Sequence, residues 1–208
     1  MKKKLEAYGQ YKKDIFEKLG VEFKKGAKIL DLGCGDGVDS LILKNVFGLN
    51  AYACDIYQDN NFKIIKGVIF RKGGIFNIPY ENNFFDYVFL HDVLHHVDEH
   101  KQRYEKHLKG LSELKRVIKK DGMIIIIEGN RYNPLFYPHM VKFRGHEHFR
   151  QDYFKKIILD VFPKAKFKFF EAHLYPQSFL AVFKVYEKIM EKIAPSPIKA
   201  YNVAIIKM

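Results

Sequence analysis

Between Ile29 and Gly37 the chain reads Ile-Leu-Asp-Leu-Gly-Cys-Gly-Asp-Gly, and a second apolar run ends in an acidic residue at Asp55. An apolar strand that runs through Asp31 into Gly33, Gly35 and Gly37 must break into a tight turn. The missing Cβ atoms let a ligand lie against bare backbone at the start of a helix, where N–H groups converge. Asp55 stands 18 residues past Gly37, where the second strand of a βαβ unit brings a carboxylate beside a ribose. A Gly-rich turn alone is common. An acidic residue ahead of the first glycine, in Asp-x-Gly-x-Gly-x-Gly, is a narrower pattern.

The rest of the chain alternates between helical and strand spacing. Leu5, Tyr8, Ile15, Phe16 and Leu19 predict a helix over 4–19 that Gly20 closes. Ala27–Leu32 reads as the first strand and Asn50–Asp55 as the second. Val38, Leu41, Ile42 and Val46 mark the helix between them, ended by Gly48. Residues 58–72 are too few for a full helix and strand and predict a truncated or irregular unit. Tyr87–Leu90 is a buried strand entered through Phe84-Phe85-Asp86, with the Phe pair in the core. Tyr104, Leu108, Leu111, Leu114 and Ile118 predict a long helix. Its last turn would carry Lys115, Arg116, Lys119 and Lys120, with Gly122 just beyond as the stop. Met123–Ile127 is almost wholly β-branched, as a strand covered on both faces should be. A helix over Gln151–Val161, a strand over Lys166–Ala172, a helix over Ser178–Ile193 and a strand over Tyr201–Lys207 complete the chain. This alternation predicts an α/β fold: a mostly parallel, doubly wound sheet with helices on both faces. Ligands of such sheets bind outside the carboxyl ends of the strands, where Asp31, Asp55, His91 and Glu128 all fall.

Bulk properties fit one domain over 1–208, since 208 residues at 48% hydrophobic can bury one substantial core. Met1-Lys2-Lys3-Lys4 leads into a polar helical pattern and not an apolar leader. No run approaches the ~18 apolar residues of a membrane span. Cys34 and Cys54 have neither zinc nor disulfide-framework spacing. The expected setting is reducing and cytoplasmic. The net charge of +12 admits RNA or an anionic membrane surface as partner. Glutamates stand beside lysines at Glu17-Lys18, Glu105-Lys106, Glu187-Lys188 and Glu191-Lys192, and Arg-rich segments are absent. The excess therefore reads as a solvated surface before a nucleic-acid footprint.

Asp-x-Gly-x-Gly-x-Gly resembles the first motif of the class I methyltransferases, which use S-adenosylmethionine. The resemblance continues in order. Gly73-Gly74-Ile75-Phe76-Asn77-Ile78-Pro79-Tyr80 and Asn83-Phe84-Phe85-Asp86-Tyr87-Val88 look like the passage from third to fourth strand. Leu90-His91-Asp92-Val93-Leu94-His95-His96-Val97 resembles the stretch after the fourth strand, and Leu114–Gly122 the approach to the fifth. It implies a seven-stranded Rossmann-like sheet with an antiparallel last strand. The parts would be an N-terminal helix (1–24), a cofactor-binding core (25–128), a substrate loop (129–150) and C-terminal helices and strands (151–208). It places Gly33, Cys34, Gly35 and Gly37 under the methionine and ribose portions, with Asp31 fixing the turn and the amino group. Asp55 would accept from the ribose hydroxyls, Ile56 would pack on adenine, and His91 would line the reactive methyl. The family commonly has an acidic residue where this chain has Gly74, so adenine falls to the backbone of Gly74 and Ile75 or to Asn77. Plainer roles stand beside these: Asp55 as a helix N-cap, Ile56 as core, the glycines as chain geometry.

His91, His95, His96 and His100 contain two i,i+4 pairs, which on a helix can ligate a metal with His146, Glu147 or His148 as a further ligand. The resembled family carries a His pair here without metal, and no metal is expected. Proton transfer suits these histidines better. His91, His146 and His148, with Glu128 behind them, are the candidate bases for a hydroxyl or ammonium acceptor. Residues 129–150 are rich in aromatic and basic groups, as a substrate loop would be. Arg131, Arg144 and Arg150 could meet a carboxylate or phosphate; alternatively the loop packs on its own aromatics. The helix over 178–193 suits core, a dimer interface or a lipid-facing lid, with core the commonest outcome.

The expected function is methyl transfer from S-adenosylmethionine to a small-molecule or lipid-like acceptor. An RNA methyltransferase is an alternative, although no Asn-Pro-Pro-Tyr/Phe-like segment comes after the fourth strand. A non-catalytic S-adenosylmethionine-binding module is another. A nicotinamide enzyme is disfavoured because its fingerprint spaces the glycines G-x-G-x-x-G. Oligomeric state is open.

Overall fold

The computed structural model describes residues 2–58, 66–99, 101–143, 145, 147–173 and 180–208, without the side chains of 2–8, 139, 140 and 180. Seven strands form one sheet: β1 (Lys28–Leu32), β2 (Asn50–Asp55), β3 (Ile69–Lys72), β4 (Phe85–His91), β5 (Ile118–Gly129), β6 (Lys166–Phe170) and β7 (Tyr201–Lys207). Their order is β3-β2-β1-β4-β5-β7-β6. The first five are parallel, and β7 runs antiparallel to both β5 and β6. The chain winds outward from β1 to β3 and then returns to set β4 on the other side of β1. That reversal opens a crevice at the carboxyl ends of β1 and β4.

The helices are α1 (Lys2–Leu19), α2 (Val38–Asn45), α3 (Tyr104–Val117), α4 (Gln151–Val161) and α5 (Leu180–Ile193). Strand side chains alternate between faces, and the two cores obey that alternation. Val88, Leu90, Ile124 and Ile126 pack with Leu111 and Leu114 of α3 and Phe154 and Ile157 of α4. Phe89, Ile125 and Ile127 pack with Ile15, Phe16 and Leu19 of α1 and Leu43 of α2. Residues 124–127 are all isoleucine because β5 is covered on both faces.

The structure corrects two expectations. The spacing that carried α3 through Ile118 fails, because the chain passes into β5 at Ile118 itself (φ −77°, ψ 144°). Lys119, Lys120 and Gly122 are therefore strand residues and not a helix end. The β4–β5 register slips between Phe85↔Ile118 and Tyr87↔Met123, a bulge in which Lys119 pairs with Asp86 at 2.6 Å. A Cβ on Gly122 would stand 2.7 Å from Ile118 Cδ1 and 3.0 Å from Asp86 O, so any side chain there would force Ile118 to shift.

The second correction concerns α5, whose expected first residues, 178 and 179, lie outside the described set. Its stripe of Val182, Val185, Ile189 and Ile193 is 49–71% exposed and not core. Ion pairs hold this helix to α1: Lys18 meets Glu187 at 2.5 Å and Lys184 meets Asp14 at 2.8 Å. The irregular unit expected over 58–72 yields the four-residue edge strand β3, with 59–65 not described. Among the described residues no helix is long and apolar enough to cross a membrane.

Candidate active site

The turn between β1 and α2 has Gly33, Gly35 and Gly37 at φ +75°, +49° and +79°, a region that side chains make costly. Gly33 N–H and Cys34 N–H both donate to Cys54 O, stitching the turn to β2. The glycines differ in purpose. A Cβ on Gly33 would overlap Val93 Cγ2 and stand 2.9 Å from Cγ1, so this glycine admits Val93. A Cβ on Gly35 would meet nothing within 4 Å, and Gly35 N–H donates to Asp55 Oδ2 at 2.9 Å. The space above Gly35 is an open cradle.

Asp55 also accepts from Tyr57 N–H at 3.1 Å. Residues 56–58 bend without starting a helix, so Asp55 is not an N-cap. Ile56 is 54% exposed and not core. Its Cγ2 lies 3.0 Å from where a Cβ on Gly74 would sit, so a side chain there would crowd it. Ile75 turns into the core against Gly110 of α3. Toward the cradle, position 75 therefore has its backbone to offer. Asn77 N–H closes a turn onto Gly74 O at 3.0 Å.

Asp31 is buried and accepts from Ser40 Oγ at 2.5 Å. Burial, reinforced by the nearby Asp39 carboxylate, pushes its carboxyl up to about 7 against the pull of Ser40 and Lys12. At Asp39 burial also opposes ionisation. There Lys12 and His91 overcome it and hold the carboxyl well below the usual range. Asp39 Oδ2 lies 2.8 Å from Lys12 Nζ and 3.0 Å from His91 Nδ1, and those two nitrogens are 2.9 Å apart. Sequence reasoning singled out His91 but missed its partners Lys12 and Asp39. The signal for Lys12 was its place in the apolar stripe of α1, between Tyr8 and Ile15.

Beyond β4 the chain turns sharply, with Asp92 at φ +55°, an uncommon conformation for a residue with a side chain. Its Oδ1 accepts from Gly129 N–H at 2.8 Å. A 3₁₀ turn over Leu94–His96 comes next. The fully buried Glu128 caps it, accepting from Val93 N–H at 2.9 Å and Leu94 N–H at 2.6 Å, with His95 Nδ1 2.8 Å away. Glu128 therefore backs His95, and not His91 or His148 as expected. Burial would lower the His95 pKa, but the Glu128 charge and hydrogen bond raise it.

The i,i+4 histidine pairs do not form one helical face. His91 ends a strand and belongs to Lys12 and Asp39, His96 meets Glu99 at 3.0 Å, and His100 is not described. His148 instead lies beside His95, ring centroids 4.4 Å apart.

Two buried asparagines anchor the 129–150 segment. Asn130 Nδ2 donates to Pro197 O and Lys199 O, each at 2.8 Å, and Asn133 Nδ2 to Ile198 O at 3.0 Å. A π-helical turn spans Tyr137–Phe143. Phe136 packs edge-on to His173 and Tyr201. Part of the loop thus packs on aromatics. Arg131, Tyr132, His148 and Arg150 border a cavity of about 410 Å³ completed by Gln102 and Tyr153. Arg131 pairs with Glu147, and Arg150 with Asp152 at 3.0 Å. Arg144 and His146 lie outside the described residues. A second cavity, about 470 Å³, lies by Tyr80, Glu113 and Arg116 and shares no residue with the Gly-rich turn.

Residues 30–126 match the family model of a methyltransferase domain. The matched segment is a methyltransferase domain and spans just under half of the chain. An uncharacterized protein of Methanocaldococcus jannaschii is 29% identical over 126 residues, 56% of this chain and 49% of that protein. A demethylmenaquinone methyltransferase of Staphylococcus aureus is 28% identical over 131 residues, 59% of this chain and 51% of that protein. The chain spans about half the length of these curated relatives. A SAM-dependent methyltransferase structure from Archaeoglobus fulgidus superposes with a TM-score of 0.68 at 20% identity, covering 95% of this chain and 92% of that one. The phosphoethanolamine N-methyltransferase 2 of Haemonchus contortus, solved with S-adenosyl-L-methionine, gives 0.60 at 18%, covering 95% and 52%. These structural likenesses show the fold of the methyltransferase domain. The cradle fits S-adenosylmethionine: among the described residues no atom lies within 4 Å of where a Cβ on Gly35 would stand, and that space adjoins the Asp55 carboxylate and the exposed Ile56.

Proposed function

We propose that this chain transfers the methyl group of S-adenosylmethionine to a small-molecule or lipid-like acceptor seated at the carboxyl ends of β4 and β5. The observation that carries this reading is the pairing of two spaces on one sheet edge. Val93 packs over Gly33 of the turn that opens into the cradle, and Glu128, which holds Val93 N–H, also holds His95, whose ring lies beside His148 of the cavity wall. When bound, the cofactor supplies a methyl group already activated on a sulfonium.

The chain's residues then bind, orient and move a proton. Asp55 accepts from the ribose diol, and Ile56 covers one face of adenine. The backbone from Gly74 to Asn77 meets its edge. Asp31, a buried carboxyl beside the turn, faces the amino group. Gly33, Cys34 and Gly37 hold the turn in shape. His91 is the proton acceptor. Asp39 accepts a hydrogen bond from Nδ1–H, as a carboxylate fixes a histidine tautomer, and the buried Nε2, which has no hydrogen-bond partner among the described residues, presents its lone pair. His148 borders the acceptor, and His146 of the same loop is a second candidate base. The demethylmenaquinone methyltransferase of Staphylococcus aureus supports a small, lipid-like acceptor, whose polar end would meet Arg131, His148 and Arg150 while Tyr132 and Tyr153 flank its ring.

The test is incubation of the purified chain with methyl-labelled S-adenosylmethionine and fractionated extract, with cofactor binding measured by calorimetry. Label in a small-molecule or lipid fraction is expected. Label in RNA, or cofactor binding without turnover on any fraction, would overturn the reading.

A further inference from the structure

Asp92, His95 and His148 each bring one donor atom within 4.8 Å of the other two. They come from the residue after β4, the 3₁₀ turn and the far end of the 129–150 loop. Both imidazoles are buried.

What surrounds them is the outer layer that metal sites use. Glu128 holds His95 Nδ1 at 2.8 Å, so Nε2 is the nitrogen a cation would take. A carboxylate on the opposite ring nitrogen orients a histidine ligand and raises its basicity. Gly129 N–H holds Asp92 Oδ1, so Oδ2 is the oxygen to coordinate. The backbone is shaped for this convergence. Asp92 adopts a left-handed conformation, and a Cβ on Gly129 would stand 2.8 Å from His148 Nδ1, so glycine there admits the ring.

The geometry points to a site for a divalent first-row metal of the zinc class, held by Asp92, His95 and His148 and oriented by Glu128 and Gly129. Two imidazoles and a carboxylate form a donor set that zinc takes in open sites, where a fourth position is kept for water or substrate. Donors of a tetrahedral zinc site stand about 3.4 Å apart. The three donors stand within 4.8 Å of one another, so small side-chain rotations of all three residues bring them onto one ion. His148 also borders the acceptor cavity, and Asp92 Oδ2 lies 3.7 Å from His91 Nε2. Resting on the methyl-transfer reading, the metal holds an oxygen or nitrogen of the acceptor within reach of His91 and eases its deprotonation.

The full chain, stripped of metal by a chelator, is titrated with zinc sulfate by calorimetry and with cobalt(II) chloride by visible absorption. The expected result is one metal per chain, with the strong ligand-field bands of a four- or five-coordinate site. Asp92→Asn, His95→Gln and His148→Gln should each weaken binding ~10-fold or more, while His96→Gln, at the half-exposed neighbour, leaves it unchanged. Binding of S-adenosylhomocysteine reports folding in each variant; if His95→Gln fails that check, the other two decide. Absent cobalt bands with S-adenosylhomocysteine still bound, or metal affinity unchanged in Asp92→Asn and His148→Gln, would overturn the site. Metal bound by a chain that methylates nothing keeps the site and removes only the acceptor reading.

Discussion

Val93 stands where a side chain on Gly33 would have to be, so the turn after β4 is keyed into the turn after β1. Gly35, two residues on, faces open space. The two glycines should therefore fail differently. Gly33→Ala forces a methyl into Val93 at a positive φ and should cost about 2–4 kcal/mol of stability in denaturant titrations. Gly35→Val should cost only the backbone strain, about 1–2 kcal/mol, yet lower cofactor affinity at least tenfold by calorimetry. Retained binding in a folded Gly35→Val protein would mean that this glycine serves chain geometry alone.

Asp55 holds Gly35 N–H and Tyr57 N–H from the end of β2. Asp55→Ala should weaken S-adenosylmethionine by ~2–3 kcal/mol, the size of charge-assisted hydrogen bonds to a diol, with far-UV circular dichroism unchanged. Equal affinity in the folded variant would remove the ribose role.

Asp31 gives a pH dependence with a definite sign. Its folded pKa of about 7 lies above the ordinary 3.8, so the folded state binds more protons and stability falls as pH rises from about 4 to about 7, then levels. The facing groups are Lys12 of α1, Asp39 and Ser40 of α2 and Asp55 of β2. Asp39, held low, loses its favourable contribution only in acid. Changes from His95 and His107 occur in wild type and variant alike and cancel in the comparison. Asp31→Asn should gain about 3 kcal/mol relative to wild type between pH 5 and pH 8. Urea titrations at both pH values check it, and parallel curves would show an Asp31 ionised throughout.

Lys12 ties α1 to Asp39 and His91 from a buried position. Lys12→Met should destabilise by about 3 kcal/mol, as breaking a buried ion pair does. It should also lower kcat while KM for the cofactor stays within about threefold, because His91 loses its orientation. A loss of stability with kcat intact would confine Lys12 to a structural role.

His91→Asn removes the proposed proton acceptor at the end of β4. Methyl transfer should fall ~100-fold or more, with calorimetric cofactor affinity nearly unchanged. Full activity would mean that positioning alone suffices for this acceptor.

β2, α4 and β7 begin and end where their apolar spacing puts them, and Asp31, Asp55, His91 and Glu128 reach one edge of one sheet. Those features depend on local periodicity, which a single chain displays. The α3–β5 junction does not. Ile118 satisfies helical and strand spacing equally, and only pairing with Phe85 decides between them. The Lys12–Asp39–His91 group joins three elements distant in sequence, and local pattern carries no trace of it beyond a lysine on an apolar face. The partners of Glu128 are hidden for the same reason, since backbone N–H groups of a 3₁₀ turn have no sequence signature.

Glu128 divides one carboxylate between two tasks. One oxygen fixes the amides of Val93 and Leu94, and so the wall against Gly33; the other holds His95, and so the ring beside His148. A ligand that displaces either wall strains the same carboxylate. Donor and acceptor affinities should therefore be thermodynamically linked, each changing the other by one common factor. Calorimetric titration of S-adenosylhomocysteine with and without acceptor measures that factor, and Glu128→Gln should bring it toward one.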